Sequence, residues 1–247
     1  MTNSKKVKLQ VQSFYNQRPA IKHKDQVSFI ITDDVFTKRT ELAQTIRDKE
    51  ITEQNKSFLQ QVNGNVVWGK TNQDPINVLI SSKVFQEDTF TWQGTVHHEY
   101  THAHDFWELA DYLKLTEMDD IYDYEYYYPF EWWSEYRARK AGAMNVYQNE
   151  YANRSTADIH YICLTMFEEI STRLMHVSSA YDAMQLFGRY SALKEMYDQA
   201  MPELSLAHSR FGLGETIIVI AEFLHSHQEF ESIRDKFGEL EVLVNSV

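Results

Sequence analysis

Cysteine, proline and glycine are all scarce in this 247-residue chain, which holds one Cys, 4 Pro and 8 Gly. The lone Cys163 has no partner for an intrachain disulfide and no Cys-x-x-Cys neighbour, so any bound metal falls to His and carboxylates. Few Pro and Gly, together with 43% hydrophobic residues, exclude collagen-like, linker-rich and disordered architectures. Long hydrophobic runs are missing too: none nears the roughly 18 residues a bilayer span needs. The opening MTNSKKVKLQ puts lysines where a signal peptide needs an apolar stretch, so the expected address is the cytoplasm, with no membrane partner.

Basic charge is the remaining shortage. Lys and Arg total 24 against 36 Asp and Glu, a net charge of -12 that repels phosphates and argues against nucleic acid as a partner. The charge is uneven. Lys5, Lys6, Lys8, Arg18, Lys22 and Lys24 stand in a stretch without acids, which reads as a solvated, frayed arm. From Glu108 to Glu135 the balance reverses, with Lys114 the one base among many acids and tyrosines.

Short β-branched runs bounded by turn formers predict strands at Val27 to Thr32, Asn65 to Trp68 and Ile76 to Ser82. Between the first two, Val35 to Val62 has helical spacing and is expected to pack one face on the sheet. From Thr91 onward the strand signals stop. Segments 91–113, 129–151, 155–178, 181–200 and 215–243 carry apolar residues three and four apart. The expected class is therefore α+β, a small N-terminal sheet with a helix on it followed by an all-helical C-terminal half. A soft boundary is expected near 150, separating residues 1–150 from a helical subdomain at 151–247.

One motif carries chemistry. His98-Glu99-Tyr100-Thr101-His102 is an HExxH. At about 100° per helical residue, His102 lies about 40° from His98 and Glu99 about 100°, so two imidazoles can share an ion with a carboxylate beside them. Trp92, Val96, Ala103, Phe106, Trp107 and Ala110 fall in one adjoining apolar stripe, as on an amphipathic helix. Catalytic zinc takes three protein ligands and keeps one position open. The metzincin continuation fails, because Asp105 stands where its Gly belongs and Glu108 where its third His belongs.

A Glu from a later helix is the alternative. Glu131 and Glu135 lie four apart in Phe130 to Ala138, and Ala138, Gly142 and Asn145 continue their stripe with small residues that permit close helix approach. Glu135, nearer the small patch, is preferred over Glu131. Asp105, one turn beyond the histidines, is a candidate to accept an imidazole N–H, with a helix-surface Asp as the plain alternative. His97, His104 and Glu108 form another stripe, read as a solvated face before a second ion site. The run EMDDIYDYEYYYPFE (117–131) is read as a cleft rim in which Tyr126, Tyr127 or Tyr128 could donate to an oxyanion, favouring basic peptides. The single histidines His160, His176 and His208 are read as structural.

Through HEYTH and WSEYRA, the chain resembles the gluzincin-type HExxH zinc metallopeptidases over about residues 76–150. It is also similar to uncharacterised bacterial and mobile-element metallopeptidases and, loosely, to the ImmA/IrrE group. The resemblance implies a zincin-like active-site helix and a Zn2+ cofactor on His98, His102 and Glu135. It further implies Glu99 as general base and acid, and a peptide or protein substrate. Best-known gluzincins carry an Asp four residues after the ligand Glu; this chain has Arg139 there. The strand Ile76 to Ser82, if at a sheet edge, would pair with extended substrate. Two other readings stay open: a zinc-binding sensor with little turnover, and a helical protein whose histidines bind nothing.

Overall fold

Residues 1–86, 90–201 and 214–246 are described by the structure, a computed structural model. They belong to two units, Met1–Tyr127 and Tyr128–Val247. The division falls near the start of a helix whose end lies at 150, the boundary expected from the sequence.

In the first unit the three β-branched runs become β1 (Val27–Thr32), β2 (Gly64–Val67) and β3 (Ile76–Ser81), in the order β1-β3-β2. β1 lies parallel to β3, with Val27 opposite Ile76, and β2 lies antiparallel to it, with Gly64 opposite Ile80. The Ile76 to Ser82 run is therefore central and cannot serve as the edge strand. Its composition explains this: Ile76, Val78, Leu79 and Ile80 are fully buried, so residues on both faces need cover. The edges are β1 and β2.

Residues 35–62 form three short helices in place of one: α2 (Val35–Leu42), α3 (Ile46–Gln54) and α4 (Lys56–Leu59). Capping residues set the breaks. Asp34 accepts the Thr37 N–H at 3.0 Å, and Thr45 accepts that of Asp48 at 3.0 Å, each starting a new helix. Val35 on α2 packs with Leu79 and Val67 of the sheet, joined by Ile30, Leu42 and Val62. Buried Arg39 ties the helices to the edge strand. Its guanidinium donates to Asp48 at 2.7 Å, Thr52 at 3.1 Å, Asn65 at 2.7 Å and the Val66 carbonyl at 2.6 Å.

The segment bearing HExxH is α5 (Thr91–Leu113), a 23-residue helix packed on β2 and β3. It ends at Lys114, whose left-handed backbone (φ 57°) lets its N–H close on the carbonyls of Ala110 and Asp111. The expected frayed arm is instead helix α1 (Asn3–Gln17), capped by Thr2 and packed on α5. Val7 and Phe14, seven residues apart and so on one face, are fully buried, while Lys5 and Lys8 stay in solvent. Charge along the chain does not show this, because the apolar Val7 and Phe14 on one face are enough to dock a helix whose lysines stay on another.

The second unit is helical: α6 (Tyr127–Glu150), α7 (Thr156–Leu174), α8 (Ala180–Ala200), α9 (Glu215–Ser226), α10 (Phe230–Ile233) and α11 (Phe237–Val244). Ser155 and Ser179 cap α7 and α8 through the N–H groups of Asp158 and Asp182. Residues 215–243 thus form three helices where one was expected. Between the first two, the His227 carbonyl takes the Trp133 indole N–H at 2.7 Å, and Trp133, Phe130, Phe230 and Phe237 pack edge to face in a shared aromatic core. No helix among the described residues is long and apolar enough to cross a membrane.

Candidate metal centre

The burial of α5 leaves its HExxH histidines among the less covered residues of the helix. Gly94 to Ala110 are almost all buried, whereas His98 and His102 keep partial exposure. One turn apart, the two imidazoles meet edge to face, ring centroids 4.7 Å apart and Nε2 atoms 3.1 Å apart. Two nitrogens each about 2.05 Å from one tetrahedral ion stand about 3.3 Å apart, so the pair has the spacing a shared zinc imposes. The helical geometry expected from the sequence is realised.

Among the described residues, one group of His, Cys, Asp and Glu side chains could hold a metal ion, namely His98, His102 and Glu135, one donor atom from each lying within 4.8 Å of the other two. Two imidazoles and a carboxylate form a donor set that suits zinc while leaving a coordination position for a fourth group. Glu135 sits on α6 and is 1% exposed. A carboxylate that deep is costly unless it is charge-compensated, and Arg139, one turn on, brings Nη2 to 3.4 Å from its Oε1. Glu131 does not join the group. It is only half-buried, near the start of the helix.

Glu99 is buried, its Oε1 3.9 Å from His98 Nε2. What makes room for it is Gly64 on edge strand β2. A Cβ at Gly64 would come within 2.6 to 2.8 Å of Cγ, Cδ and Oε1 of Glu99, distances that real Cβ atoms essentially never show. The strand backbone and the carboxylate therefore lie in direct contact, and a side chain at this position would displace Glu99. Gly64 lies one residue ahead of the strand expected from Asn65. A glycine at the mouth of a β-branched run was the available signal, since it often marks close backbone approach.

Asp105 is 1% exposed, which rules out the helix-surface alternative. His97 and His104, expected on a solvated face, are 1% and 3% exposed beneath α1. Gln10 Nε2 lies 2.8 Å from His97 Nε2, Tyr15 Oη 3.2 Å from His104 Nε2, and Phe14 packs against both rings. Because the Gln10 amide nitrogen can only donate, His97 Nε2 accepts and the ring is neutral. Burial, aided by the charge of Arg18, pushes its pKa down to about 3. Neither residue joins a metal group, and Glu108 stays half-buried.

The acidic run enters a short 3-10 turn, Met118–Asp123, pinned by buried Met118 and Ile121. Arg47 caps it, donating to Asp123 at 2.8 Å and stacking over Tyr122. Tyr126 and Tyr127 are half-buried, Tyr126 against Tyr124 and Tyr127 against Tyr122, whereas Tyr128 is 68% exposed. Of the single histidines, His160 has Tyr197 Oη and Met201 Sδ each at 3.2 Å from Nδ1, His176 is exposed, and His208 lies outside the described residues. No family model, curated protein or solved structure matches the chain.

Proposed function

We propose that the protein is a zinc-dependent hydrolase, and specifically a peptidase, with His98, His102 and Glu135 as ligands and Glu99 as the general base. The observation that carries this reading is the grouping of those three donors within 4.8 Å, with a buried carboxylate next in sequence to the first of them. Zinc so held would supply Lewis acidity and bring the pKa of its water towards about 7.

The remaining work falls to the chain's own residues. Glu99 takes the proton of the attacking water and returns it to the leaving amine, a transfer between two partners that requires a fixed carboxylate. Gly64 fixes it from one side, since the strand backbone stands where a side chain would otherwise push Glu99 away. Asp105, buried one turn beyond His98 and His102, is assigned to orienting a ligand imidazole. The favoured substrates are basic peptides, which the net charge of -12 attracts. An extended peptide fits beside β2, an edge strand whose Val66 carbonyl is already taken by Arg39 but whose Gly64 adjoins the base.

The test is Glu99→Gln, assayed on a basic peptide library with metal content measured in parallel. The expected result is a fall in turnover of at least about 1000-fold with one zinc per chain retained. Wild-type zinc with no cleavage of any peptide would favour the sensor reading, and a wild type that takes up no zinc would remove the enzyme reading altogether.

A further inference from the structure

Resting on that assignment of Glu135 as a ligand, the residue one turn after it acquires a role. Arg139 brings Nη2 to 3.4 Å from Glu135 Oε1, and the same nitrogen donates to Gln185 Oε1 of α8 at 3.0 Å. The guanidinium is thus shared between a buried carboxylate on its own helix and an amide on the next. Its stem is confined as well. A Cβ at Gly188 would lie 2.7 Å from Arg139 Cβ, 2.6 Å from the Tyr136 carbonyl oxygen and 2.9 Å from Lys140 N, so α8 passes in contact with α6 at this level. Tyr136, three residues before Arg139, adds a buried hydrogen bond from its hydroxyl to Ser191 Oγ at 3.1 Å, fixing the same pair of helices.

We propose that Arg139 is a positioning residue for the metal site: held by Gln185 of the next helix, its guanidinium keeps Glu135 in one rotamer through the contact of Nη2 with Oε1. The carboxylate is 1% exposed, so the guanidinium contact constrains its orientation where water does not reach. Gln185 and the close approach at Gly188 keep the guanidinium from following solvent, although its side chain is 36% exposed. A group that acts through a ligand changes metal affinity and coordination while leaving the fold intact.

The experiment measures zinc affinity of the full chain by competition with a chromophoric chelator, for wild type, Glu135→Ala, Arg139→Ala, Arg139→Lys and Gln185→Ala. Cobalt(II) absorption and the melting temperature of the metal-free protein are recorded alongside. The expected result is a zinc Kd about 10 to 100-fold weaker in Arg139→Ala, with a changed cobalt spectrum. Arg139→Lys should recover part of the affinity, and Gln185→Ala should lose only a few-fold because the charge remains.

Zinc binding by Arg139→Ala within twofold of wild type, or tighter than wild type, would overturn the proposal while leaving the ligand assignment intact. If Arg139→Ala fails to fold, unchanged affinity and an unchanged cobalt spectrum in Gln185→Ala overturn it instead. If wild type binds no zinc, or Glu135→Ala binds it as well as wild type, the functional reading itself fails and the positioning role fails with it.

Discussion

Two pairs of histidines on one helix, α5, have opposite fates. His98 and His102 keep partial exposure and bring their Nε2 atoms to 3.1 Å, whereas His97 and His104 are buried under α1 among Phe14, Tyr15 and Gln10. Residue type and helix are the same. The difference lies in what covers each face: a helix with two buried apolar anchors closes over one and supplies hydrogen-bond partners to its rings. The other presents two nitrogens at the spacing one ion requires. A histidine thus becomes a candidate ligand through geometry and a second donor, and a spacer through a ready-made partner.

The sharpest way to break this comparison is to truncate one histidine from each face. His102→Ala should remove bound zinc entirely, a loss of more than about 1000-fold in affinity, because two donors rarely hold the ion against buffer. His104→Ala should leave one zinc per chain and lower only the melting temperature. Elemental analysis of both variants decides it, and zinc loss in His104→Ala would erase the distinction.

A second prediction works from the strand side. Gly64→Ala should reduce turnover by about 10 to 100-fold with zinc content unchanged, since the added Cβ meets Glu99 and no proposed ligand. Retained wild-type kcat would show that the base moves freely. For the structural face, Phe14→Ala should cost about 3 to 5 kcal/mol in chemical denaturation, through the cavity left between α1 and α5. Its zinc affinity should match wild type.

The most gradual effect, small over any fraction of a pH unit, is a pH slope. His97 has a folded pKa of about 3 against an unfolded value near 6.5, so below 6.5 the unfolded chain binds a proton that the folded one refuses. Stability is therefore full above about pH 6.5 and falls by up to about 1.4 kcal/mol per pH unit on acidification towards 3. His97→Gln, compared with the metal-free parent, should flatten that slope. An equal slope in both would show that His97 is not held neutral by its burial.

Much of the site was legible in the sequence because it is local. HExxH lies within five residues of one helix, and a period of 3.6 residues places His98, Glu99 and His102 without any knowledge of the fold. The three strands were legible for the same reason, each a short β-branched run between turn formers. Legibility ended where the answer depended on distant partners. Whether Ile76 to Ser81 lay central or at an edge depended on β1 and β2 flanking it, and whether His97 faced water depended on a helix more than eighty residues earlier.

What the sequence determined by itself was therefore the α+β class, the helical character of the chain after Thr91 and the chemistry of one helical face, all consequences of short-range periodicity and residue type. The tertiary structure alone decided that Phe14 and Val7 dock the basic N-terminal helix, that Gly64 is the residue making room for Glu99, and that Ile76 to Ser81 is the central strand. The physical reason is common to the three. Each depends on which surfaces meet at van der Waals distance, and close packing between elements remote in the chain leaves little trace in spacing along it.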